Sequence, residues 1–209
     1  MFALILTILI SVYGNSDQAY ISQAEVRRVI AQTADTTALR PEDCAPIEQA
    51  LDKTHMVRKA QCYLQTDGVL VVRIEQREPM YRVANQNRQY WVDQDREIVA
   101  IKPGLHIQVP LATGVISDSL ARNGLYELMD YLTRDPFYRP ALQRVAVTEK
   151  GEAIILLTGN RRVLMGAMNK SFPKRLKKLV KLYEKGFSVI GEPEQKEFDL
   201  RYKGQVVTR

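Results

Sequence analysis

A strand-like segment close to the end of the chain constrains the fold more than any other stretch. Residues 197–207 have the β-branched and aromatic content of a strand, interrupted by the pair Lys203-Gly204. A strand in that position lies at the edge of a sheet, and an uncovered edge accepts another chain. A sequence with such an edge and no visible catalytic apparatus reads as a docking protein.

At 209 residues, 45% hydrophobic and 26% charged, the chain is globular and buries a real core, as one large domain or two small ones. Its net charge of +6 suits nucleic acid, an anionic lipid surface or an acidic protein, and equally suits solvated Lys and Arg with no partner. The two cysteines, Cys44 and Cys62, belong to no Cys-x-x-Cys motif or Cys/His cluster, which argues against a metal site. They read as small buried apolar residues, able to form one disulfide in an oxidising compartment if their backbones approach.

Residues 2–13 are apolar apart from Thr7 and Ser11. The run is shorter than the roughly 20 residues of a membrane span and lacks the basic flank and cleavage site of a signal peptide. It reads either as the stub of a membrane helix or, preferred for its second half, as a strand. In the strand reading Ile8, Ile10 and Val12 share one face, and residues 14–17 form a turn.

A β-α-α-β-β unit follows from the local signals. Ser22 and Glu25 form a capping box, with Ile21 and Val26 at the staple positions and Val26, Val29 and Ile30 on one helical face. A second helix covers about 43–51, with Ile47, Ala50 and Leu51 inward and Pro46 tolerated in its first turn. Strands at 57–65 and 69–76 flank the turn Thr66-Asp67-Gly68. Two helices then pack on one face of a small sheet.

Arg77-Glu78-Pro79 marks a boundary, so residues 1–77 form one domain and 78–209 another. In the second, strands are expected at 80–84, 89–92, 98–101, 109–114, 142–148, 153–158 and 161–165. Helices are expected at 118–132, with Leu125, Leu128, Met129 and Leu132 as an apolar stripe, and at 172–184, with Gly186 as C-cap. The fold class is α+β: a β-α-α-β-β unit followed by a mostly antiparallel β domain with two helices.

No nucleophile motif, P-loop or dinucleotide fingerprint occurs, and His55 and His106 stand apart from any such motif. The reading is therefore of a non-enzyme, with no catalytic residue, cofactor or metal. The strongest electrostatic feature is the helix over 170–185, whose polar side carries Lys170, Lys174, Arg175, Lys177, Lys178, Lys181 and Lys185. Such a face tracks phosphates or an anionic membrane, although its apolar stripe favours the solvated side of a packed helix. Tyr202, at the terminal edge, is placed as an aromatic interface anchor.

Four stretches carry a family resemblance. Residues 70–79 end in Glu75-Gln76-Arg77-Glu78-Pro79; Tyr90-Trp91-Val92-Asp93 precedes a turn; Val109-Pro110-Leu111-Ala112-Thr113-Gly114 is a Pro-hydrophobic-Gly step; and Phe198-Asp199-Leu200-Arg201-Tyr202 lies late in the chain. Their order and spacing resemble the FtsQ/DivIB family of bacterial division proteins, and the first unit resembles a POTRA domain. The resemblance implies a single-pass inner-membrane protein with a periplasmic body. Its POTRA-like unit contacts other division proteins, and its β domain receives FtsB, and with it FtsL, to help control septal peptidoglycan synthesis. Strand addition then maps to Asp199, Leu200, Arg201, Tyr202 and Gly204. The backbone supplies ladder bonds, Arg201 pairs a partner carboxylate, and Tyr202 fills an apolar pocket.

The sequence departs from the family in lacking a cytoplasmic tail and a full membrane helix, in ending soon after Gly204, and in placing Arg96 where a glycine is usual. The turn at Arg96 is therefore expected to differ or to be strained. The competing readings are a POTRA-type periplasmic assembly factor and a basic nucleic-acid-binding module using the helix over 170–185.

Overall fold

The structure, a computed structural model, describes residues 7–15, 18–86, 88–187, 191 and 196–209. Residues 2–6 of the apolar run, Ser16 and Asp17 of the first expected turn, and Asn87 lie outside the described residues. The chain divides into two units, Met1–Glu78 with Lys102–Leu105, and Pro79–Ile101 with His106–Arg209.

The first unit runs β1 (Ile8–Tyr13), α1 (Gln23–Thr33), α2 (Cys44–Asp52), β2 (Val57–Leu64) and β3 (Leu70–Gln76). Its sheet order is β1-β3-β2, with β1 parallel to β3 and β2 antiparallel to it. Ile8, Ile10 and Val12 alternate inward against a core of Val26, Ile30, Ile47, Leu51, Val72 and Ile74, while Leu9 and Tyr13 face out. That period of two makes 8–13 a strand. Only half of the expected capping box forms. Ser22 Oγ accepts the Glu25 N–H at 3.1 Å, but the Glu25 carboxylate turns to Lys102. A lysine ammonium outcompetes a neutral amide for a carboxylate.

One detail shapes the rim of this sheet. The outward N–H groups of Ala60 and Cys62 on β2 donate to Asp52 Oδ1 (2.7 Å) and Glu48 Oε1 (2.6 Å) on α2. The helix thus caps the strand edge that it overlies.

The second unit runs β4 (Pro79–Ala84), β5 (Gln89–Asp93), β6 (Ile98–Ala100), β7 (Leu111–Gly114), α3 (Asp118–Arg122), α4 (Gly124–Arg134), β8 (Leu142–Val147), β9 (Glu152–Leu157), β10 (Arg161–Ala167), α5 (Phe172–Leu182), β11 (Glu197–Asp199) and β12 (Val207–Thr208). These strands form one nine-stranded sheet in the order β12-β11-β10-β9-β8-β7-β4-β5-β6. Most neighbours are antiparallel, whereas β4–β7, β7–β8 and β10–β11 are parallel. Tyr81, Val83, Val145, Val147, Ile155, Val163 and Phe198 sit on one sheet face, under Leu125, Leu128, Leu132, Phe172, Leu176 and Leu179 of the helices. The α+β class expected from the sequence is the observed one.

Three elements differ from expectation. The helix expected at 118–132 breaks at Asn123, whose φ and ψ are −123° and −99°. Its Nδ2 turns back to the Ser119 carbonyl, and Gly124 lets the Met168 main chain pass, since a Cβ there would sit 3.2 Å from the Met168 carbonyl oxygen. The last helix does not cap at Gly186. It widens into a π turn over Tyr183–Phe187, which brings Tyr183 and Phe187 against Phe198, with Tyr183 also against Phe137. The terminal strand expected over 197–207 is two short strands, β11 and β12, joined by a turn.

Gly114 shows why the Pro-hydrophobic-Gly step ends as it does. Its φ is +106°, and a Cβ there would lie 2.0 Å from the Val147 carbonyl oxygen of the adjacent strand. Among the described residues no helix is long and apolar enough to cross a membrane.

Candidate functional site

The C-terminal rim is built from β10, α5, β11, the turn after it, and β12. β11 runs parallel to β10, and the Leu200 N–H continues the ladder to the Leu164 carbonyl (3.0 Å). On its other side β11 already pairs antiparallel with β12, Phe198 opposite Thr208 and Asp199 opposite Val207. The edge expected to be open at 197–207 is therefore closed by the chain's own backbone, and the rim lies one strand further out. Glu197 and Arg209 exchange both main-chain bonds (3.1 and 2.9 Å). Antiparallel ladders alternate, so Thr208, opposite Phe198, turns its N–H and C=O away from β11.

The turn is organised by side chains. Asp199 is fully buried, and its carboxylate grips Arg201 three ways: Oδ1 accepts the Arg201 N–H (3.1 Å) and Nε (2.9 Å), and Oδ2 accepts Nη2 (2.7 Å). The Arg201 guanidinium first, then that main-chain bond and the charges of Arg201 and Arg209, hold the Asp199 carboxyl below its ordinary value against the opposing effect of burial. The same fork raises the Arg201 guanidinium further. Arg201 Nη1 faces Glu152 at 3.7 Å, and the Arg201 stem crosses Gly166, where a Cβ would come within 2.9 Å of it.

Lys178 on α5 completes the turn. Its Nζ donates to three carbonyls, Tyr202 (2.7 Å), Gln205 (3.0 Å) and Leu200 (3.2 Å). Burial, then Arg175, lowers the Lys178 ammonium from its ordinary value, and Asp199 opposes them. Gly204, at φ +79°, supplies the left-handed step that returns the chain toward β12.

Each residue named from the sequence now has a place. Asp199 and Leu200 are buried and build the rim from beneath. Arg201, Tyr202 and Gly204 lie on its surface, with Tyr202 44% exposed. A shallow groove of about 300 Å³ runs between α5 and the turn, walled by Lys174, Arg175, Lys178, Arg201, Tyr202 and Lys203. Its lining carries five cations and no carboxylate, so it favours an acidic segment. The basic helix is not wholly available to a polyanion. Besides Lys178, Arg175 is engaged internally, donating to Ser171 Oγ (2.6 Å) and to the Ala167 carbonyl.

Sequence reasoning missed two features, the triple role of Lys178 and the outward Thr208. Lys178 lies more than twenty positions from its acceptors, and nothing in its local pattern sets it apart from the neighbouring lysines. Thr208 lies one residue beyond the strand expected over 197–207. His55 and His106 are exposed, and among the described residues no group of three His, Cys, Asp or Glu side chains converges.

A sheet rim with no further strand among the described residues, beside a cationic groove, is the chemistry of a surface that takes another polypeptide. Residues 78–209 match the family described as FtsQ/DivIB, C-terminal related, and the chain belongs to that family. A search of curated proteins finds no match. The family consists of membrane-anchored, non-enzymatic division scaffolds, which places this chain in bacterial cell division and among the interacting proteins of the divisome.

Proposed function

We propose that this protein is a divisome scaffold whose second unit captures an FtsB-like partner, and with it FtsL, by strand addition along β12. The observation that carries this is the orientation of Thr208, whose main-chain groups face away from β11 beside a groove lined by cations. An extended partner segment lies along β12, its acidic side chains over Lys174 and Lys203 and an apolar side chain against Tyr202. Asp199 and Leu200 hold the turn from below. Arg201 is already forked onto Asp199 and paired through Nη1 with Glu152, so its part is to fix the turn. The first unit is a POTRA-like domain that meets other division proteins. The body lies in the periplasm, anchored to the inner membrane by a single pass, and the assembly regulates septal peptidoglycan synthesis.

Capture of an FtsB-like partner by the full chain tests this. Thr208→Pro removes an outward donor without breaking a bond to β11, and Tyr202→Ala removes the aromatic contact. Each is expected to weaken capture about tenfold or more, with an unchanged denaturation midpoint. Retained affinity in both variants refutes the assignment of the rim.

A further inference from the structure

The first unit holds a pair of thiols that the scaffold reading does not use. Cys44, Glu48 and Asp52 recur every four residues along α2 and so share one face. That face lies along β2 in a registry fixed by two bonds: Asp52 meets the Ala60 N–H, and one turn earlier Glu48 meets the Cys62 N–H. One turn earlier again stands Cys44, next along the face whose Glu48 carboxylate reaches the Cys62 N–H. The Cys62 side chain points to the helix-covered side of the sheet, in the core with Ile47 and Leu51, and half-buried Cys44 packs against that core. After burial, Cys44 is the neighbouring side chain that acts most strongly on the Cys62 thiol.

We propose that Cys44 and Cys62 are a site of oxidative cross-linking, a disulfide that clips α2 to the edge strand β2. The reaction is thiol–disulfide exchange with a disulfide-bearing oxidant. Cys44, the more accessible thiol, attacks one donor sulfur as its thiolate, forming a mixed disulfide and releasing one donor thiolate. Cys62 then gives up its proton, attacks Cys44 Sγ and expels the second donor thiolate. One S–S bond forms, one S–S bond breaks, and two protons pass to the donor as it becomes a dithiol. Burial, and then the Cys44 side chain, raise the Cys62 thiol above its ordinary value, so Cys62 serves as the resolving partner and not as the entry point. The two carboxylate bonds already hold α2 against β2, so the link reinforces an existing contact. It makes the capping of the β2 edge permanent wherever the chain meets an oxidising compartment.

The test equilibrates the folded full chain with oxidised glutathione, then denatures it and alkylates free thiols with a maleimide. Expected is the loss of both alkylation sites, a mass lower by two hydrogens, and one dithiothreitol-sensitive peptide pair joining the segments around residues 44 and 62. Addition of dithiothreitol should then speed amide exchange at Ala60 and Cys62 about tenfold or more. In Cys44→Ser, a half-exposed position that tolerates the change, exchange at those amides should be insensitive to dithiothreitol. Persistence of two alkylatable thiols, a glutathione adduct stalled on Cys44, or a disulfide between two copies of the chain would each overturn the assignment.

Discussion

Lys178→Met offers a sharp test of how the rim is built. Methionine keeps the unbranched stem against α5 and removes the ammonium that serves the Leu200, Tyr202 and Gln205 carbonyls. A hydrogen bond to a charged group contributes about 1.5–3 kcal/mol where its partner has no other donor. Tyr202 and Gln205 are exposed, so water replaces the ammonium at both and those losses nearly cancel. Leu200 is fully buried, so its carbonyl sets the global cost at about 1.5–3 kcal/mol. The larger consequence is local. Without the three-way tie the turn no longer returns β12 to β11, and the reciprocal bonds of Glu197 and Arg209 open. Amide exchange read by NMR should accelerate at Glu197 and Arg209 about tenfold or more, while Ile155 in the middle of the sheet changes only by the global amount. Capture of the partner segment should weaken in parallel. Unchanged exchange at Glu197 and Arg209 would show that β12 is held by its ladder alone and would refute the role given to Lys178.

Two further outcomes follow from the same geometry. Gly114→Ala forces a Cβ against the Val147 carbonyl oxygen at φ +106°, so β7 and β8 must part, at a cost of about 3 kcal/mol or more in urea denaturation; a loss below about 1 kcal/mol would contradict the close approach. The Asp199 carboxyl is held below its ordinary value, so its stabilisation is complete above the unfolded pKa of about 3.9 and is lost as pH falls through the lower folded value. The denaturation midpoint should therefore fall more steeply between about pH 5 and 2 in the parent than in Asp199→Asn, and identical slopes would refute it.

The first unit was legible because its signals are local. Ser22 does accept from Glu25, Ile47 and Leu51 do point inward, and the alternation of β2 and β3 fits the core face. The second unit was legible in class but not in detail, and the misses share a cause. The break at Asn123 answers to Met168, and the π turn answers to Phe198, each distant in sequence. The terminal segment has strand composition throughout, yet Asp199 folds its carboxylate onto the Arg201 amide and Gly204 turns left-handed, so two strands form where composition indicates one. Arg96 was flagged as occupying a glycine position, and it takes φ +66°. Its guanidinium lies over the Tyr126 ring at 4.4 Å and bonds Glu127 at 2.6 Å, which offsets part of the strain.

The carboxylates of Glu48 and Asp52 stand where a neighbouring strand would present its carbonyls, so on that flank the small sheet is finished by its own helix. On the opposite flank the parallel ladder sends Leu70 to Thr7 and leaves Ile10 and Val12 of β1 with their peptide groups aimed outward. Among the described residues, growth of this sheet is therefore directional: a visiting strand has a berth beside β1 and none beside β2.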